Sequence, residues 1–156
     1  MEFIEGNIFE CNDEAILHQV NCQGVMGSGI AKEIKRRYPN VFYQYKEMCE
    51  NNKLSPSSLL KSKLLGEILV CSQNVNKERY IINLFAQDRY GSSGCYTDYE
   101  ALKTCLRKVN NQFRGKSVAI PYKMSCNRGG GDWKIVLKII EEELKDCYVK
   151  IYKLKE

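Results

Sequence analysis

At 156 residues the chain has room for one domain with a substantial core, but not for two comfortable ones. Hydrophobic residues make up 44% and charged residues 28%, ordinary proportions for a globular domain, and no apolar stretch is long enough to cross a bilayer. The net charge of +5 is scattered through groups such as Lys35-Arg36-Arg37 and Arg107-Lys108; it suits an anionic ligand and is weaker than a dedicated nucleic-acid binder requires.

In chain order, a short strand is expected at Phe3-Ile4, closed by Gly6-Asn7, and a mostly apolar strand over 15–21. A helix follows from about Gly29, with Ile30, Ala31, Ile34 and Tyr38 three or four apart and Ser28 placed to cap it. Pro39 either interrupts that pattern or starts a second helix over Val41 to Glu50. The polar stretch from Asn51 to Ser58 is a loop, and Gly66 to Cys71 reads as a strand. After a turn at Asn74 to Glu78, Arg79 to Phe85 is a nearly continuous apolar run of the buried type. Thr97-Asp98-Tyr99-Glu100 has capping-box spacing and opens a helix carrying Ala101, Leu102, Cys105, Leu106 and Val109. A strand at Ser117 to Ile120, a helix from Trp133 to Lys145 and an alternating strand from Tyr148 to Leu154 complete the chain. Strands and helices that interleave to the end predict a single α/β domain spanning 1–156, with helices covering a sheet.

The eight cysteines are evenly spread, form no Cys-x-x-Cys, and have only His18 as a possible nitrogen co-ligand, so no metal or cofactor is expected. They read as reduced thiols. The N-terminus shows no basic segment followed by an apolar one, and the expected location is the cytoplasm.

Two strand-to-helix junctions carry the chemistry: Gly24-Val25-Met26-Gly27-Ser28-Gly29 and Asn127-Arg128-Gly129-Gly130-Gly131-Asp132. Glycine lets a ligand approach the backbone, and a helix N-terminus offers unpaired N–H groups at the positive end of its dipole. Two such loops facing one another would cradle a phosphate or diphosphate at the carboxyl ends of the strands. The first loop is neither a Gly-x-Gly-x-x-Gly dinucleotide fingerprint nor a Gly-Lys-Ser/Thr phosphate loop. A histidine inside an apolar strand is ordinarily a hydrogen-bonded core residue, but His18 lies close to the first loop, where an acid/base role is open to it. Asp98 and Asp132 read as helix caps, with Asp88 on the other side of the 87–96 loop. Tyr152 and Leu154 share one face of the last strand and are placed either to pack or to sandwich a base.

His18 to Ala31, continued through Arg37-Tyr38-Pro39 and Tyr45 to Cys49, resembles the macrodomain family. The similarity is to the branch of ADP-ribose 1''-phosphate phosphatases and the related terminal ADP-ribose protein glycohydrolases. Glu5 to Phe9, Asn83 to Gln87, Tyr96 to Leu102, Gly130 to Trp133 and Ile151 to Leu154 extend the resemblance in order across essentially the whole chain. It implies a three-layer α/β/α fold with a mixed, mainly six-stranded central sheet, and ADP-ribose bound across the strand ends. By resemblance, Gly27, Ser28, Gly29 and Ile30 form the first phosphate-contacting loop. Ser125, Cys126, Asn127, Arg128, Gly129 and Gly130 form the second, around the diphosphate and distal ribose. Asn21 lies at the distal ribose, Asn7 and Ile8 fall at the adenine, and Tyr152 and Leu154 resemble the adenine-pocket residues.

Three departures stand out. Asn7 replaces an aspartate that accepts from the adenine amino group in many relatives. The family's second loop usually reads Gly-Ile-Gly-Cys-Gly-Leu-Ala-Gly-Gly, whereas this chain has Lys123-Met124-Ser125-Cys126-Asn127-Arg128-Gly129-Gly130-Gly131, with Arg128 available to contact a phosphate. Ala86-Gln87 stands where the glycohydrolase branch carries its nucleophilic lysine. The expectation is an ADP-ribose-binding hydrolase acting at the distal ribose, with His18 as acid/base and Asn21 orienting ribose or water. Alternatives are a non-catalytic ADP-ribose reader, a glycohydrolase that dispenses with the lysine and acts on an ADP-ribosylated macromolecule, and a pocket altered toward another nucleotide. A monomer is expected.

Overall fold

The computed structural model describes residues 1–73, 79–126 and 129–155. The turn expected at Asn74 to Glu78, and Asn127 and Arg128 of the second loop, lie outside the described residues. The elements are β1 (Glu2–Glu5), a single 3-10 turn (Ile8–Glu10), β2 (Ala15–Asn21), α1 (Gly29–Arg37), α2 (Pro39–Asn51), β3 (Ile68–Ser72), β4 (Tyr80–Gln87), α3 (Tyr99–Gln112), β5 (Ser117–Pro121), α4 (Trp133–Glu143) and β6 (Tyr148–Lys153). They form one six-stranded sheet in the order β1-β6-β5-β2-β4-β3. All its pairings are parallel except that of β3, which runs antiparallel along β4 at one edge. This is the mixed α/β/α architecture expected.

The apolar runs of β2 and β4 explain their central positions. Ala15, Leu17, Ile82 and Leu84 face one side, where they pack with Leu102, Leu106 and Val109 of α3 and Val136 and Ile140 of α4. Ile16 and Ile81 face the other side with Ile34 of α1 and Val41 of α2, and Val20 and Phe85 extend that face against Tyr45 and Cys49. Strands covered on both faces must be apolar at nearly every position, so they show no alternation.

Local chemistry sets the boundaries. Tyr38 separates two helices because Pro39, at the first position of α2, keeps the preceding residue out of the helical region (φ −130°, ψ 72°). Asp98 and Asp132 cap α3 and α4 by accepting from the backbone N–H of Ala101 and Lys134 at 3.0 and 2.9 Å. Strand β3 starts at Ile68 rather than Gly66, because Gly66 turns the chain at φ +90°. Helix α4 ends at Glu143 rather than Lys145, and Leu154 lies beyond the end of β6.

His18 proves to be a core residue. It is fully buried, and its Nε2 lies 2.6 Å from Asn83 Oδ1, its register partner on β4. The Asn83 amide nitrogen donates onward to Leu69 O at 3.0 Å, so one polar chain links β2, β4 and β3. With Asn83 Oδ1 as acceptor, His18 carries its proton on Nε2, and its buried Nδ1 has no hydrogen-bond partner among the described residues. Burial lowers the imidazole to about 4 against the opposing pull of the Asn83 bond. The unfolded chain therefore takes up a proton near pH 6.5, whereas the folded one resists until about 4. Stability is fully present above 6.5 and falls as the pH drops toward 4. The protein should lose about 2 kcal/mol between pH 7.5 and pH 5 in urea unfolding. His18→Gln, which retains a donor for Asn83, should lose less than half of that, and equal losses would contradict the neutral core histidine.

Candidate functional site

Strands β2, β4, β5 and β6 run the same way, so their carboxyl ends lie along one edge of the sheet. A cleft of about 520 Å3 opens there, within the roughly 300–1,000 Å3 typical of small-molecule sites. It is lined by the end of β2, the 27–31 loop, Gln87 and the 90–92 segment beyond β4, and the 121–125 turn with Gly129 beyond β5.

The first glycine loop forms one wall. Gly24 and Gly29 adopt φ of +81° and +59°, which puts Gly27, Ser28, Gly29 and Ile30 on the cleft and starts α1 facing it. Ser28 occupies the N-cap position, but its side chain makes no capping hydrogen bond. The loop is anchored from below by Tyr45, whose buried hydroxyl lies 2.8 Å from both Asn21 O and Asn21 Oδ1 and accepts from Val25 N at 3.1 Å. Asn21 lines the cleft, but its amide first serves the loop, donating to Val25 O at 2.8 Å and accepting from Gln23 N at 2.9 Å.

The second loop forms the opposite wall through an arrangement that the sequence reading missed. Gln19, at the end of β2, accepts from the Ser125 hydroxyl at 2.6 Å. Its amide nitrogen donates to Thr97 Oγ1 at 2.9 Å and Gln87 Oε1 at 3.1 Å. Thr97 in turn lies within donating distance of Ser125 O and Gly129 O, at 2.8 and 3.2 Å. Thr97 therefore braces the second loop instead of completing the capping box, and Asp98 caps α3. Ser125 sits at φ +74°, a conformation costly for a non-glycine residue, and both its hydroxyl and its carbonyl are tied down there. The available signal was a glutamine between His18 and Asn21, in the polar end of a strand that begins apolar.

Asn21, Gly27, Ser28, Gly29, Ile30, Ser125 and Gly129 thus come together around the cleft. Other expected site residues do not line it. His18 is the main correction: a fully buried side chain bonded to Asn83 cannot reach a ligand, so its expected acid/base role is withdrawn. Asn7 uses its side-chain oxygen to accept from Phe9 N at 2.9 Å, capping the 3-10 turn, and Ile8 is buried in the core. The Tyr152 hydroxyl donates to Asp13 Oδ2 at 2.6 Å, while Leu154 is largely exposed. Burial acting alone would raise the Asp13 carboxyl, but Tyr152 and Lys150, the latter 3.2 Å from Oδ1, outweigh it and hold it below its ordinary value. Cys126 is half-buried, donates to Met124 O and is pushed up by burial to about 11, which makes it a poor nucleophile. Gly130 turns at φ +67° against Gly94 O.

No carboxylate or imidazole stands among the described residues lining the cleft, and Lys123 is the one charged side chain there. The walls offer backbone N–H groups and neutral amides, an environment for a diphosphate rather than for a cation. Gly129 tests this construction. A Cβ there would collide with Thr97 Oγ1 and lie 2.6 Å from Ser125 O and 2.8 Å from Gln19 Nε2. Gly129→Ala should cost about 1–3 kcal/mol in thermal or urea unfolding as the brace is pushed apart. Full stability in this variant would show that the brace is slack.

The Macro domain model matches residues 17–140. The chain is 40% identical to an ADP-ribose 1''-phosphate phosphatase of Aspergillus oryzae, over 94% of this chain and 90% of that protein. It is 30% identical to a DNA ADP-ribosyl glycohydrolase of Thermus aquaticus, over 93% of this chain. The chain spans about two-fifths of the length of that relative and of its mycobacterial counterparts, between 38% and 40%. Among solved structures it is similar to the macrodomain of Mycobacterium tuberculosis DarG, with a TM-score of 0.74 and 28% identity over 97% of this chain and 95% of that one. With the family model covering most of the chain and a whole-length relative at that identity, this protein belongs to the Macro domain family.

Proposed function

We propose that this chain binds ADP-ribose derivatives and hydrolyses them at the distal ribose, most simply releasing phosphate from ADP-ribose 1''-phosphate. The observation that carries the reading is the pair of loops facing one another across the cleft, one starting α1 and the other braced by Gln19. Backbone N–H groups on both sides suit a diphosphate, and the whole-length likeness to a phosphatase supports the 1''-phosphate as the bond attacked.

With His18 removed from consideration, catalysis rests on positioning and electrostatic stabilisation. Water attacks the phosphorus, the bond between phosphorus and the anomeric oxygen breaks, and ADP-ribose and inorganic phosphate leave. The remaining amide hydrogen of Asn21 is placed to orient the distal ribose. A lysine-linked covalent route is disfavoured because Ala86-Gln87 stands where that branch carries its lysine, with the Gln87 amide held between Gln19 and Arg89 O. That leaves little support for a glycohydrolase acting through lysine on an ADP-ribosylated macromolecule.

A second reading, a non-catalytic ADP-ribose reader, is favoured by one observation: the described lining holds no carboxylate or imidazole to act as a base. Two measurements separate these readings. Calorimetry with ADP-ribose should show binding, and incubation with ADP-ribose 1''-phosphate should release inorganic phosphate in proportion to protein. Gly27→Glu, which sets a carboxylate against the diphosphate, should reduce both by at least about tenfold. Binding with the 1''-phosphate recovered intact would move the chain to the reader class, and absence of binding at millimolar ligand would end both readings.

A further inference from the structure

We infer that the cleft carries a cationic subsite for a phosphate ester on the adenosine ribose, built from Lys123 and Lys153 around the ring of Tyr122. Along the sheet edge the order is β6, β5, β2, β4, with the two loops following β5 and β2. On the reading above, a diphosphate gripped between those loops leaves the distal ribose at the ends of β2 and β4. The base then lies toward β6, so the adenosine ribose must cross the ends of β5 and β6.

Both lysines stand there. Lys153 is the last residue of β6, and Lys123 follows β5 by two residues and lines the cleft. Tyr122 also lines the cleft; its N–H donates to Tyr152 O at 2.8 Å, which fastens the exit of β5 to β6. Its ring packs edge-on against Trp133, with centroids 5.4 Å apart. The ammonium groups of Lys153 and Lys123 lie 4.9 and 5.6 Å from the centroid of that one ring. Among the described residues neither is paired with a carboxylate, whereas Lys150, Lys108 and Lys116 each have one. Lys123 also holds φ +58°, a backbone conformation unusual for lysine, at its place on the cleft lining. Two cations that share one aromatic ring and lack a carboxylate partner among the described residues suit a doubly charged phosphate beside that ring, which a ribose hydroxyl alone would not call for.

This inference rests on the ADP-ribose reading, and one titration series tests the two separately. Affinities for ADP-ribose, ADP-ribose 2'-phosphate and ADP-ribose 3'-phosphate are measured at low and moderate salt, for the wild type and for Lys123→Gln/Lys153→Gln. One of the two phosphate esters should bind at least fivefold more tightly than ADP-ribose, with an advantage that shrinks as salt rises. In the double variant the ratio should fall to near one, and the identity of the preferred ester assigns the hydroxyl. Equal affinity for all three ligands in the wild type, or a preference that survives in the variant, overturns the subsite while leaving the ADP-ribose reading intact. Failure of all three to bind removes both.

Discussion

The Gln19 side chain is the interaction on which the site depends. It sits where β2 leaves the apolar core, and it uses both ends of its amide to join three segments distant in sequence: Gln87 at the end of β4, Thr97 before α3, and Ser125 in the second loop. A glycine-rich loop has little conformational preference of its own and pays a large entropic cost on ordering. In the loop after β5, Met124 packs into the core and Ser125 is fixed by polar contacts, which hold Ser125 in a left-handed conformation without glycine. On the opposite wall Tyr45 does the same for the first loop through Asn21 and Val25. Each wall is thus held by one polar side chain attached to rigid secondary structure, half-buried Gln19 on one side and buried Tyr45 on the other, the arrangement that keeps binding groups in place before a ligand arrives.

Much of the fold was legible because its signals are local. The apolar runs of β2 and β4, the aspartate caps of α3 and α4, and Pro39 at the start of α2 all follow from short-range chemistry. The first glycine loop could be placed on the cleft because strand, glycines and helix follow one another directly. What was not legible depends on direction and on distance in sequence. Within a strand covered on both faces, periodicity does not tell whether a polar residue turns toward helices or toward the open end, so His18 could be read either way, and only its pairing with Asn83 decides it. Gln19 and Ser125 are separated by 106 residues, and no local pattern announces their hydrogen bond.

Asn7 and Tyr152 make a related point. Resemblance assigned both to the base, and the fold gives each a second employment: Asn7 caps a turn, and Tyr152 satisfies a carboxylate, Asp13, that is almost fully buried. A residue at a site's edge can serve the framework and the ligand at once, and motif comparison shows only the position. Asp13 escaped notice because its partners, the Tyr152 hydroxyl and the Lys150 ammonium, come from the far end of the chain.

The rim around residues 91–97 has a consequence for access. Tyr96 and Thr97 both donate their backbone N–H to Gly129 O, and Gly130 lies so close to Gly94 O that a side chain there has no room. This lip and the second loop are therefore fused into a single jaw. One side of the mouth is thus stiffened by these contacts, while on the other Val25 and Gly27 stand exposed above the Tyr45 anchor. Any give in the rim then falls to the first loop, where Gly24 holds the chain at φ +81° just ahead of Val25.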